Sequence, residues 1–108
     1  MEQIYNKLVR DNIPEIINHN GETPITRILT DEEYKLELER KLNEEYNEVL
    51  KTNTPEERIE ELADMLEIIT SLAKLEGKSL EDIVWTAKCK KNKRGGFDKR
   101  IYLEKVVN

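Results

Sequence analysis

The sequence predicts an all-α protein built on an antiparallel helix hairpin. Two long stretches carry apolar residues at helical spacing, Tyr34, Leu38, Leu42 and Val49 on the first and Met65, Ile68 and Leu72 on the second. Helix punctuation brackets them: Thr30 before the first, Thr52-Asn53-Thr54-Pro55 between the two, and Gly77 after the second. The 108 residues are 38% charged and only 6% aromatic, so the core is aliphatic and modest. A second copy would cover more of the wide apolar face of residues 59–75.

The chain opens without a long period. Asp11 or Asn12 can cap a short helix with Pro14 in its first turn, running through Ile16 and Ile17 and stopping at Asn20-Gly21. Lys7 and Arg10 precede it, where exposed backbone N–H groups favour anions; two solvated charges are the plainer reading. His19 reads as a surface residue at the helix end. Pro24–Leu29 is short and rich in β-branched residues, which reads as a brief strand.

Thr30-Asp31-Glu32-Glu33 has capping-box spacing and opens the first long helix. Thr54, Pro55 and Glu57 open the second in the same manner, and Gly77 is its left-handed stop. Ser79-Leu80-Glu81-Asp82 caps a third, with Leu80, Ile83, Val84 and Ala87 along one stripe and Trp85 off it, as core or interface. That helix runs into Lys88-Cys89-Lys90-Lys91-Asn92-Lys93-Arg94 and then Gly95-Gly96-Phe97. Cations suit a helix C-terminus, but seven basic residues from Lys88 to Arg100 exceed what a cap requires, which suggests an anion-binding loop. Residues 100–107 read as a second strand that could pair with the first, a short two-stranded β element.

The chemistry sits on the hairpin. Glu45 and Glu48 form an E-x-x-E motif; twelve residues separate it from the E-x-x-D motif of Glu61 and Asp64. Residues three apart share a helix face. Counted from Thr54, Glu48 and Glu61 lie roughly 9 and 10 Å along their helices at about 1.5 Å per residue. Glu45 and Asp64 lie roughly 14 and 15 Å along by the same rise. An antiparallel hairpin therefore sets Glu48 level with Glu61 and Glu45 level with Asp64. Glu45 and Glu61 also interrupt the apolar stripes, where a carboxylate costs several kcal/mol unless paired or bound to a cation. Helices that are merely Glu-rich give such motifs singly by chance, and two at matched heights inside the apolar faces much more rarely.

Composition narrows the ligand chemistry. One histidine, His19, and one cysteine, Cys89, cannot build a zinc site of the usual nitrogen and sulfur kind, so a bound metal would be held by oxygen. The lone cysteine excludes an internal disulfide and fits a reducing cytoplasm. No signal peptide or long apolar run points to export or a membrane. A net charge of −5 argues mildly against nucleic acid.

With these residues in hand, the chain resembles the MazG-like branch of the all-α nucleoside triphosphate pyrophosphohydrolases, relatives of phosphoribosyl-ATP pyrophosphohydrolase. The carriers are residues 7–15, Glu44-Glu45-Tyr46-Asn47-Glu48, Glu60-Glu61-Leu62-Ala63-Asp64, and Lys93-Arg94-Gly95-Gly96-Phe97 with Arg100. The resemblance implies a single pyrophosphohydrolase domain over residues 1–108, a dimeric or tetrameric bundle, and Mg²⁺-dependent hydrolysis of a nucleotide to its monophosphate and pyrophosphate. It implies Glu45, Glu48, Glu61 and Asp64 as Mg²⁺ ligands, with Mn²⁺ as a substitute, and Lys93, Arg94 and Arg100 as phosphate contacts. Lys7 and Arg10 fall in a segment similar to one in part of the family and join the substrate-binding candidates. Glu45, or its neighbour Glu44, is the candidate base for the attacking water. The basic segment is spaced differently from that of the better-known MazG proteins, and no particular base or sugar is implied.

Three other readings differ in what they require. A non-catalytic nucleotide-binding regulator of the same fold would bind nucleotide and Mg²⁺ without releasing pyrophosphate. A nucleic-acid module using the basic C-terminal segment would show binding that falls steeply with salt and ignores Mg²⁺. A plain helical oligomerisation domain gives no reason for charges inside the apolar stripes.

Overall fold

The computed structural model describes residues 1–108 and contains four helices and no strand. They are α1 (Ile13–His19), α2 (Asp31–Lys51), α3 (Pro55–Leu75) and α4 (Leu80–Arg94). Helices α2 and α3 form an antiparallel hairpin, α4 touches only α3, and α1 packs against no other helix.

Local sequence explains the starts of α2, α3 and α4, whereas α1 begins after Asn12 with Pro14 in its first turn and without the expected side-chain cap bond. The Thr30 hydroxyl accepts the Glu33 N–H at 3.2 Å while the Glu33 carboxylate accepts the Thr30 N–H at 3.0 Å, so both halves of a capping box start α2. Arg27 adds a two-point ion pair to Glu33, which holds that carboxyl down at about 2, mainly through its hydrogen bond. At α3 the expected box is altered. Thr54 accepts the Glu57 N–H, but the Glu57 side chain accepts from Asn53 rather than from Thr54, one residue upstream. The three-residue turn brings the Asn53 N–H within 3.0 Å of it. Ser79 and Asp82 complete a second full box at α4.

Gly77 ends α3 with φ of 71°, and the Lys78 N–H reaches back to the Ala73 carbonyl while the Gly77 N–H reaches Lys74. This is the left-handed closure that glycine permits at least cost. Gly21 closes α1 with the same pair of bonds, from Glu22 to Ile17 and from Gly21 to Asn18.

The core lies along the hairpin. Leu38 and Val49 of α2 and Ile68 and Ala73 of α3 are the buried residues, with Tyr34, Leu42, Met65 and Leu72 half-buried beside them. The helical stripes read from the sequence are therefore the packed faces. The stripe of α4 is not covered: Ile83 and Val84 are exposed, and Trp85, 68% exposed, is not a core residue of this chain.

The expected two-stranded element does not form. Residues 22–30 and 101–108 have no regular structure, and Ile25, Ile28, Ile101 and Leu103 are exposed. Strand propensity stabilises little without a neighbouring backbone to accept the ladder bonds, and these two segments do not pair.

Candidate metal centre

The hairpin brings three of the four predicted carboxylates together. One oxygen each from Glu45, Glu61 and Asp64 lies within 4.8 Å of the other two. The half-buried setting of all three follows from their place at or beside the apolar seam between α2 and α3. Glu48 is not among this close set. It lies 4.0 Å from Lys51 and, with Glu61, Lys51, Thr52 and Glu57, lines an open hollow near the turn.

Electrostatics mark Glu45 as the strained member. Its carboxyl is pushed up from 4.5 to about 7, first by burial, then by a hydrogen bond with Glu61, then by the charges of Asp64 and Glu61. Lys41, one helical turn before Glu45, opposes this shift and also lies 3.9 Å from Glu44. The sequence reading missed Lys41, although its i, i+4 relation to Glu45 was there to be read.

The donor set suits a hard cation. Mg²⁺ takes oxygen at about 2.0–2.1 Å, so two ligands of one ion lie at most about 4.2 Å apart. Three oxygens within 4.8 Å of each other need only small side-chain adjustments to meet that span. No sulfur or imidazole belongs to the cluster, which disfavours a zinc-type site.

From the N-terminal segment Arg10 reaches the cluster itself, and Lys7 reaches Glu44 beside it in sequence. Arg10 donates from Nη2 to Asp64 Oδ1 at 2.7 Å, and Lys7 Nζ lies 3.9 Å from Glu44 Oε1 and 5.9 Å from the Tyr5 ring centre. Lys7 and Arg10 thus bridge to carboxylates instead of standing as free charges before α1. No short-range pattern signals a contact across 54 positions. Lys93 and Arg94 close the last turn of α4, and Arg100 sits in the tail with φ of 59°. All three are exposed, and none forms an ion pair with the acidic residues. His19 lies exposed, 3.8 Å from Glu15, as its surface reading requires.

Comparison with known proteins adds a partial relative. The chain is 44% identical over 54 residues to an uncharacterized protein of Mycolicibacterium smegmatis, a stretch that covers 50% of this chain and 55% of that one. The match spans about half the length of that relative. No family model and no solved structure matches the chain. The firm result is an all-α protein with an acidic Glu45/Glu61/Asp64 cluster able to hold a divalent metal.

Proposed function

We propose that this chain is a Mg²⁺-dependent nucleotide pyrophosphohydrolase of the MazG-like kind, which cleaves a nucleoside triphosphate or related nucleotide to the monophosphate and pyrophosphate. The observation that carries the reading is the convergence of Glu45, Glu61 and Asp64 on the inner face of the hairpin. Mg²⁺, or Mn²⁺ in its place, would be held by these three, with Glu48 as a fourth ligand after a side-chain rotation. The ion would supply Lewis acidity toward the phosphate oxygens and the attacking water.

The protein groups do the rest. Glu45 and its neighbour Glu44, which is tethered to Lys7 and Lys41, are the candidate bases for the attacking water; Glu45 would serve through an oxygen that the ion leaves free, because coordination keeps a carboxylate deprotonated. Arg10 stands against the cluster and Lys7 near Glu44, from where both would meet substrate phosphates. Lys93, Arg94 and Arg100 would contact the phosphates from a second copy of the chain, because α4 and the tail make no ion pair with the cluster of their own chain.

A panel of canonical and damaged nucleoside triphosphates, assayed for pyrophosphate with and without Mg²⁺, tests the reading. Pyrophosphate release should require the ion. Glu61→Ala and Asp64→Ala should each lower it by about 100-fold or more while leaving the helical CD spectrum intact. Nucleotide binding without any pyrophosphate would replace the hydrolase with a non-catalytic nucleotide-binding regulator. Unaltered turnover in both variants would remove the metal assignment.

A further inference from the structure

We propose that Arg10 is a built-in cation that competes with a divalent ion for Asp64, so that loading of the acidic cluster releases the N-terminal strap of residues 1–12. The inference rests on the metal reading above and adds the regulation of that site.

Arg10 reaches Asp64 from a segment without regular structure, and its Nη2 donates to Oδ1 at 2.7 Å. Asp64 is one of the three carboxylates whose oxygens lie within 4.8 Å of one another, so the guanidinium draws on the same negative charge that an ion would use. Two cations on one carboxylate repel at such separations. Mg²⁺ also demands near-ideal octahedral geometry, which a carboxylate turned toward a guanidinium supplies poorly.

The strap is held lightly enough to leave. Its polar anchors are the Arg10–Asp64 pair and the longer Lys7–Glu44 approach of 3.9 Å, with Leu8 and Val9 only half-buried. Exposed ion pairs of this kind are weak. Helix α1, which follows, packs against no other helix and does not clamp the segment from its far end. One anchor ends on the acidic site, at Asp64, and the other on Glu44, which adjoins Glu45 in sequence but lies outside the close set. Release of the strap leaves Lys7 and Arg10 as two unpaired cations beside a loaded site. The arrangement therefore favours an order in which the divalent ion binds first and an anionic, phosphate-bearing ligand follows.

A rival role makes the opposite prediction. If Arg10 instead holds Asp64 in its ligand orientation, removing it weakens ion binding. Isothermal titration with Mg²⁺ and Mn²⁺ on the full chain, with Arg10→Gln and Arg10→Lys, separates the two. Competition predicts that Arg10→Gln binds the ion about two- to fivefold more tightly, the span of a weak exposed pair. Arg10→Lys should fall between the variant and the wild type. Limited proteolysis supplies the second readout: tryptic cleavage after Lys7 should be faster at saturating Mg²⁺ in the wild type, and already fast without the ion in Arg10→Gln. Equal or weaker affinity in Arg10→Gln overturns the proposal, as does cleavage after Lys7 that Mg²⁺ leaves unchanged or slows. Ion binding of equal strength in wild type and variant sinks the role of Arg10 alone, whereas no ion binding in either removes the metal reading with it.

Discussion

Glu45 carries the sharpest conflict between folding and function. Burial, a hydrogen bond with Glu61 and the nearby charges of Asp64 and Glu61 raise its carboxyl from 4.5 to about 7. The sign for stability follows directly. Between pH 4.5 and 7 the folded chain holds a proton at this position that the unfolded chain has lost, so stability falls as pH rises through that window and levels off above it. One pKa unit corresponds to about 1.4 kcal/mol; with discounting for partial exposure, the loss is on the order of 1–2 kcal/mol. In chelator-treated protein, urea unfolding should show the wild type losing that amount from pH 5 to 8. Glu45→Gln should remove most of the slope and be the more stable protein at pH 8. A parallel pH dependence in the variant would place the titrating group elsewhere. Divalent ions need the deprotonated carboxylate, so wild-type Mg²⁺ affinity should rise from pH 6 to 8, with proton release measurable by titration in buffers of different ionisation enthalpy.

Among the elements, α2 and α4 begin with the same device yet carry different structural weight. Both have full capping boxes, Thr30 with Glu33 and Ser79 with Asp82. Helix α2 holds half of the buried core, whereas α4 touches only α3 and buries no residue of its own. Thr30→Ala should therefore cost about 1 kcal/mol of global stability, read as a lower urea midpoint at constant m. Ser79→Ala should act locally instead, speeding amide exchange in residues 80–86 with a smaller shift of the midpoint. This contrast also explains which features were legible in the sequence. Caps, the Gly77 stop and the spacing of Leu38, Leu42, Glu45 and Val49 are local signals, and they fix the hairpin and its register closely enough to bring Glu45 to Asp64 and Glu61. Pairing between distant segments carries no such signal. The expected strand at Ile25–Leu29 lacks a partner, and the Arg10–Asp64 contact joins positions 54 apart that no period relates. Glu57 shows the limit at fine scale, because turn geometry rather than spacing gives its carboxylate to Asn53.

The whole chain is too open to account for its own apolar content. Its radius of gyration is 18.5 Å and its extents are 64 × 36 × 25 Å. A compact chain of this length would have a radius near 13 Å. Only Leu38, Val49, Ile68 and Ala73 are buried, while Leu62 and Leu66 on α3 and Ile83, Val84 and Trp85 on α4 face solvent. Apolar side chains exposed along two helices are the usual mark of a surface that another helix covers. The occupant expected from the sequence is a second copy of this chain, in a dimer or tetramer. Light scattering at micromolar concentration should then give a mass at a multiple of 12.7 kDa, and the melting temperature should rise with protein concentration. Trp85 is the only tryptophan, so it reports the same event without a label. Its emission should shift to the blue on association, and Trp85→Lys should lower both the mass and the melting temperature while leaving the α2–α3 acidic cluster able to bind Mn²⁺. A 12.7 kDa species with water-like tryptophan emission at about 100 μM would refute self-association, and with it any delivery of Lys93, Arg94 and Arg100 from a second copy.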